Sequence, residues 1–245
     1  MFVRRIEEAG LNSWPALQQN FFDGWIVRFS EGYTKRANSV TPLYPSQLSA
    51  QEKIAYCERL YAERQLPTIF RLPSFSTESQ QLDQMLAERG YRYLDRTFVW
   101  STQLSSDGAA NNLALHTLSL ETWLPIYLQW SERYIELQHL HRELLERIPS
   151  PHIYAALYQH GTPVACGLGV LEHEALGIFD IVTDPGQRRQ GYGKQLVRGM
   201  LAWGREQGAR YAYLQVVSTN LAAQQMYAKL GFQEAYQYWY RTQGQ

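Results

Sequence analysis

Apolar residues recur along this chain at two spacings, near two residues and near three to four, and their alternation predicts a protein of interleaved strands and helices. Trp25, Val27 and Phe29 alternate with other positions and Glu31-Gly32 follows as a turn, so residues 22–43 read as two strands closed by Pro42 and Pro45. Ile54, Cys57, Leu60 and Tyr61 then recur at helical spacing behind Ser49, with Glu52 three residues on as the acidic half of a capping box. This helix ends before Pro67. Thr68 to Leu72 is a short apolar strand, Thr77 to Arg89 a second amphipathic helix stopped by Gly90, and Tyr91 to Trp100 an aromatic, β-branched strand.

The pattern breaks from Leu104 to Asn112, where a polar, turn-rich run has the composition of a linker. It divides the chain into 1–103, a linker at 104–112, and 113–245. After it, Leu113 to Leu118 is a candidate strand, and Glu121 to Arg147 supports two helices rich in Trp, Leu and Tyr. Residues 153–159, 164–171 and 175–182 form a three-strand meander. Tyr192 to Gln207 is a helix by the spacing of Leu196, Val197, Met200, Leu201 and Trp203, and Gly208 ends it. Tyr211 to Val217 reads as a strand, Leu221 to Leu230 as a helix ended by Gly231, and Phe232 to Arg241 as a final strand.

Leu86-Ala87-Glu88-Arg89-Gly90-Tyr91, with Phe98, Val99 and Trp100 beyond it, parallels Tyr227-Ala228-Lys229-Leu230-Gly231-Phe232, with Tyr238, Trp239 and Tyr240 beyond it. Helix, glycine stop and aromatic strand recur at one spacing, which predicts a duplicated unit over residues 22–100 and 153–241.

Composition narrows the function. Of 245 residues, 45% are hydrophobic and 13% aromatic, ample for a packed interior. Lys+Arg and Asp+Glu both number 23, so no global basic field draws in nucleic acid or an anionic membrane. Cys57 and Cys166 are distant and have no metal-ligand spacing, which predicts buried apolar residues, with no disulfide framework or metal site. The N-terminus has acidic residues where a signal peptide would be apolar, and no run is long enough to span a bilayer; a cytosolic protein is expected.

The most informative stretch is Phe179-Asp180-Ile181-Val182-Thr183-Asp184-Pro185-Gly186-Gln187-Arg188-Arg189-Gln190-Gly191-Tyr192-Gly193-Lys194. A strand ends, a loop carries two arginines and two spaced glycines, and a helix opens at once. Unpaired N–H groups and the helix dipole make such a turn an anion site. Gly191 and Gly193 clear its approach, and Arg188, Arg189 and Lys194 supply charge; a pyrophosphate accounts for all five. A tight turn with solvated arginines is the alternative for the loop alone. G-x-G-x-x-G fails at Leu196, and a P-loop fails because Tyr192 stands where its lysine belongs.

Arg188-Arg189-Gln190-Gly191-Tyr192-Gly193 resembles the [QR]-x-x-G-x-[GA] acyl-CoA signature of the GNAT superfamily. Residues 220–232, from Asn220 through Tyr227 to Gly231-Phe232, resemble its second signature. The resemblance covers residues 113–241 in element order and is sharp from Ile178 onward. It implies an α+β, tandem GNAT-like fold with mixed, mostly antiparallel sheets flanked by helices, and an N-acetyltransferase that passes an acetyl group from acetyl-CoA to a primary amine, expected on a small molecule. It also implies that the main chain of Ile181, Val182 and Thr183 pairs with the pantetheine arm, that residues 188–194 (Arg188, Arg189, Gln190, Gly191, Tyr192, Gly193, Lys194) hold the pyrophosphate, and that Asn220 orients the pantetheine or the following helix. By the same resemblance Tyr227 is expected to face the thioester sulfur as general acid. Asp180, a carboxylate inside an apolar strand, is paired, solvent-facing or the proton-removing base; Glu172, His173 and Glu174 are weaker candidates. A non-catalytic acyl-CoA-binding module, use of a longer acyl group, and a homodimer stay open.

The N-terminal half has no glycine-arginine loop, and Leu86 stands where Tyr227 does in the other half, so it is expected to have lost acyl-CoA turnover. Residues 24–40 resemble the start of tandem GNAT proteins with a degenerate first domain. Their polar cluster of Tyr33, Thr34, Lys35, Arg36, Asn38 and Ser39 is a solvated turn, a substrate pocket wall or a domain contact.

Overall fold

The computed structural model describes residues 2–104, 115–131 and 137–243. Eleven strands among them form one sheet in the order β1-β2-β3-β4-β11-β5-β10-β9-β8-β7-β6. The N-terminal half supplies α1 (Phe2–Ser13), β1 (Gln18–Phe22), β2 (Trp25–Phe29), β3 (Val40–Pro42), α2 (Ala50–Ala62), β4 (Ile69–Pro73), α3 (Thr77–Glu88) and β5 (Arg92–Gln103). The C-terminal half supplies β6 (Leu115–Leu118), α4 (Leu120–Ser131), α5 (Gln138–Glu146), β7 (His152–Gln159), β8 (Thr162–Glu172), β9 (Ala175–Thr183), α6 (Tyr192–Glu206), β10 (Tyr211–Val217), α7 (Leu221–Ala228) and β11 (Gln233–Thr242). Only β3–β4 and β9–β10 pair in parallel among these, so the sheet is mixed and mostly antiparallel.

The same succession, three strands, helix, strand, helix, strand, occurs in each half. Its closing turns agree bond for bond: Tyr91 N donates to Leu86 O and Gly90 N to Ala87 O, as Phe232 N does to Tyr227 O and Gly231 N to Ala228 O. Gly90 and Gly231 both take the left-handed conformation, at φ 83° and 86°, that lets a chain leave a helix without a Cβ penalty. The two partial sheets expected from the sequence are joined into one, because each half ends inside the other's ladder. β11 lies between β4 and β5, and β5 lies between β11 and β10.

For the first 43 residues one sequence expectation is corrected and one element is added. Residues 2–13 form a helix that no cap or glycine announces, and the hairpin turns at Asp23-Gly24, between β1 and β2. Both turn residues have positive φ, 40° and 81°, as a two-residue hairpin loop needs. Glu31-Gly32 also has positive φ but begins a long loop into β3. The strand at Leu113–Leu118 starts at Leu115, with 113–114 outside the described residues, as are 105–112 of the linker and 132–136 between α4 and α5.

α1 carries Ile6, Ala9 and Leu11 into the interior. Its buried Glu7 pairs with the buried Arg71 of β4 and accepts from the Tyr236 hydroxyl of β11, so a charge on the inner face of the helix is compensated. Arg28 of β2, also buried, donates to Leu11 O at 3.1 Å, to Trp14 O and to Arg36 O at 3.0 Å, tying the end of α1 to the loop before β3. A groove of about 730 Å³ is lined both by Phe21 of β1 and Ile26 of β2 and by Glu172 of β8 and Tyr211 of β10; strands so far apart in the sheet order face one groove, so the sheet curls around α1.

The strand exchange is secured by side chains. Asp83 of α3 accepts from Arg241 Nε at 2.7 Å, Arg241 Nη2 at 3.0 Å and Trp239 Nε1 at 2.5 Å, the last two residues lying on β11. Burial raises the Asp83 carboxyl, but these hydrogen bonds and the Arg241 charge outweigh it and hold the group below its ordinary 3.8. A depressed carboxylate adds stability that is present above its unfolded value and lost as pH falls through its folded one. Asp83→Asn is therefore expected to lower unfolding stability by about 1–2 kcal/mol at pH 7. The difference should persist down to about pH 3.8 and close only below it, as urea titrations of both proteins at pH 7 and in acid would show.

Candidate active site

β9 and β10 run parallel from Ala175/Tyr211 only as far as Ile178/Leu214. Beyond that point β9 continues against β8 to Thr183 and β10 continues against β5 to Val217. The two strands therefore separate, and alternate peptide groups of residues 179–183 face the gap with no strand partner. At Asp180 the register against β8 shifts, three β9 residues spanning two of β8, and Asp180 itself has φ 50°. This bulge turns one carboxylate out of an apolar strand.

Asp180 is paired. Its Oδ1 accepts from the Tyr127 hydroxyl of α4 at 3.2 Å, and its Oδ2 lies 3.2 Å from His141 Nε2 of α5. His141 is buried, and its Nδ1 is bonded to the Tyr33 hydroxyl from the loop between β2 and β3. Tyr33, His141 and Asp180 thus form a chain of polar groups from the N-terminal half to the bulge of the C-terminal half. Of the polar cluster at 33–39, Tyr33, Thr34 and Arg36 line the small cavity beside Asp180. Asn38 shapes it with all four of its amide bonds: Oδ1 accepts from Ser30 N at 2.7 Å and Gly32 N at 3.1 Å, and Nδ2 donates to Tyr33 O at 2.7 Å and Thr34 O at 3.2 Å.

The loop leaving β9 is shaped for an anion. Asp184 accepts from Gly186 N at 2.9 Å, a short 3-10 turn follows at Pro185–Gln187, and Gln190 Nε2 reaches Gln187 Oε1 at 2.8 Å. Arg189 and Gly191 both have positive φ, 66° and 84°, a sequence of hands that gathers successive N–H groups on one side. Gly191 caps α6 with no side-chain bond, and the first turn of α6 holds no acidic residue. A Cβ at Gly191 would meet nothing within 4 Å, so its mouth is open. Arg188 and Arg189 are exposed, Tyr192 and Lys194 half-buried, and none of the three cations forms an ion pair among the described residues. Gly193 has a packing reason as well: a Cβ there would lie 3.2 Å from Thr183 Oγ1 and 3.5 Å from Met226 Sδ.

The matching helix of the N-terminal half shows what such a site cannot tolerate. At α2, Ser49 and Glu52 close a capping box, with Ser49 Oγ donating to Glu52 Oε2 at 2.7 Å and Glu52 N donating back to Ser49 Oγ at 3.3 Å. The Ser49 hydroxyl and N–H hold the Glu52 carboxyl below the usual range. The donors that would meet a phosphate are taken, and a negative charge stands among them.

Tyr227 of α7 is buried at 8% exposure, with its ring edge-on to Phe232. Its hydroxyl has no hydrogen-bond partner among the described residues, and burial pushes its pKa up to about 12, so the phenol stays protonated and available as a donor. Leu86 occupies the same turn of α3 and is fully buried. Asn220 caps α7, its Oδ1 accepting from Ala223 N at 3.1 Å. Glu172, His173 and Glu174 sit where β8 turns into β9, on the large groove beside α1, away from the bulge. Tyr33 belongs to the polar cluster that the sequence offers as a pocket wall, whereas Tyr127 and His141 are not distinguished there: they lie on helices where an aromatic or imidazole reads as core.

Comparison with known proteins finds N-acetyltransferases by sequence and by fold. The family model described as "Probable histone acetyltransferase Rv0428c C-terminal" matches residues 2–241. The uncharacterized N-acetyltransferase YobR of Bacillus subtilis is 29% identical over 250 residues, 98% of each chain. The ribosomal protein bS18-alanine N-acetyltransferase of Escherichia coli is 32% identical over 79 residues, 32% of this chain and 53% of that protein. Among solved structures, a GCN5-related N-acetyltransferase from Kribbella flavida superposes with a TM-score of 0.68 at 14% identity, over 99% of this chain and 95% of that one, a likeness of fold. Among the described residues no helix is long and apolar enough to cross a membrane.

Proposed function

The chain belongs to the acetyltransferase family of that model, within the GNAT superfamily, and from this premise we propose that it transfers the acetyl group of acetyl-CoA to the primary amine of a small molecule at the bulge of β9. The observation that carries the reading is the splay of β9 from β10 leading into the uncapped, cation-rich start of α6. Residues 181–183 are assigned to the pantetheine arm and residues 188–194 to the pyrophosphate, and the two halves to an active and a vestigial GNAT-like unit.

Asp180 removes the proton that an ammonium must lose before its nitrogen can attack the thioester carbonyl. As the new C–N bond forms and the C–S bond breaks, Tyr227 gives its proton to the departing sulfur, and the second amine proton leaves to solvent. The products are an N-acetyl amide and free CoA. His141 and Tyr127 hold the Asp180 carboxylate toward the site. A protein amine is the second reading, favoured by the match to an enzyme whose printed name places it on ribosomal protein bS18. The small cavity beside Asp180, about 50 Å³, argues for a narrow acceptor end in either case.

Tyr227→Phe tests the assignment. A thiol with a pKa near about 8.5 leaves readily even as thiolate, so the loss in kcat is expected to be about ten- to a hundredfold, at the lower end of general-acid effects. Acetyl-CoA affinity should stay within about twofold, since the substitution removes one hydroxyl that holds nothing in the free protein. Thiol release in the steady state gives kcat, and an unchanged value would remove Tyr227 as the acid.

A further inference from the structure

The cavity beside Asp180 is lined by groups of opposite charge from both halves, Asp180 with Tyr127 and His141, and Arg36 with Trp14 and Tyr33. The Arg36 guanidinium lies over the Trp14 ring at 4.6 Å and near the Phe179 ring at 5.9 Å, and it forms no hydrogen bond or ion pair among the described residues. Its neighbour Lys35, by contrast, is paired with Asp95 at 2.7 Å. Arg36 is half-buried and held in place from every side. Its own carbonyl accepts from Arg28, the loop is pinned by Asn38, and the Trp14 indole beneath it donates to Thr34 Oγ1 at 3.3 Å. A stacked, partly desolvated cation on a cavity wall, with no ion-pair partner among the described residues, is suited to bind an anion there.

The volume limits what that partner is. About 50 Å³ of space for water-sized spheres, at roughly 10–15 Å³ for each, is room for a few heavy atoms. Only a few heavy atoms fit between a carboxylate that takes an ammonium and a guanidinium that takes a planar anion. We propose that the acceptor carries a carboxylate within a few bonds of its amine, the head group of an α-amino acid, with Arg36 binding the carboxylate and Asp180 the amine. The side chain of the amino acid then points out of the cavity, so the head group rather than the side chain is what the site recognises. This assignment rests on the reading that the acceptor amine meets Asp180, and it gives the N-terminal half a direct part in substrate choice.

Binding tests it without requiring turnover. Common α-amino acids and their carboxamides, which keep the amine and lose the anion, would be titrated by calorimetry into the full-length protein saturated with CoA. Amino acids are expected to bind about ten- to a hundredfold more tightly than their amides, as a charge-assisted bidentate contact implies. Arg36→Gln should abolish that preference while leaving amide binding and CoA affinity unchanged, and Arg36→Lys should restore part of it. Equal binding of acids and amides, or no binding of either, would overturn the proposal. Tight, Arg36-dependent binding of an amino acid that is never acetylated would leave the head-group site standing and sink the transferase reading, and with it the amino acid's part as acceptor.

Discussion

Asp180→Asn is expected to lower kcat about a thousandfold, within the range that a positioned acid or base contributes to proton transfer. The substitution keeps the shape of the side chain and an oxygen for the Tyr127 hydroxyl, so the bulge and the fold survive it. What it removes is the ability to take a proton from the amine in a site whose other polar group, His141, already has one nitrogen on Tyr33. The amide also meets His141 Nε2, 3.2 Å away in the parent protein, with either a neutral acceptor or a mismatched donor, which loosens the chain of polar groups behind it. Acetyl-CoA affinity should be unchanged, because the residues assigned to the cofactor begin one position later. Steady-state kinetics with calorimetry on the same preparation separates the two effects. A variant that keeps kcat within about threefold of the parent would place the base elsewhere.

Gly191→Glu should weaken acetyl-CoA binding at least about a hundredfold, and two separable causes contribute. Gly191 has φ 84°, and a residue with a Cβ is strained there by about 1–2 kcal/mol. The carboxylate adds a negative charge among N–H groups and cations that have no acid of their own, reproducing what Glu52 does at the start of α2. No neighbour lies within 4 Å of the new Cβ, so the variant folds and the loss is not one of packing. Gly191→Ala isolates the first cause, and should lose only about tenfold. Raising ionic strength should narrow the gap between the two variants, since the second cause is electrostatic.

Where the determinants of structure are local, the sequence displays them. Ser49 and Glu52 lie three residues apart and both bonds of their box form; Gly90 and Gly231 stop their helices with one hydrogen-bond pattern; the turn from β9 to α6 shows its glycines and arginines in twelve consecutive positions. Where the determinant is a distant partner, the sequence shows little. Glu7 is buried on α1 because Arg71 and Tyr236 meet it there, and nothing near residue 7 distinguishes that glutamate from the half-buried Glu8 beside it. The polar β1 carries no strand signal because it is an exposed edge strand, and the crossing of β5 and β11 depends on pairings more than a hundred residues apart. The site divides in the same way. Its anion loop is legible, while Tyr33, His141 and Asp180 come together from three separate elements only when the sheet has curled.

The central claim is acetyl transfer at the β9 bulge, and it is tested most directly by incubating the full-length protein with acetyl-CoA and an amine panel of α-amino acids, simple primary amines, and peptides with free N-termini or lysines. The account predicts release of free CoA thiol that depends on the amine and is matched, mole for mole, by an N-acetyl product in the mass spectrum. Tight acetyl-CoA binding with no amine-dependent thiol release from any class would contradict it and leave an acyl-CoA-binding protein that does not turn over.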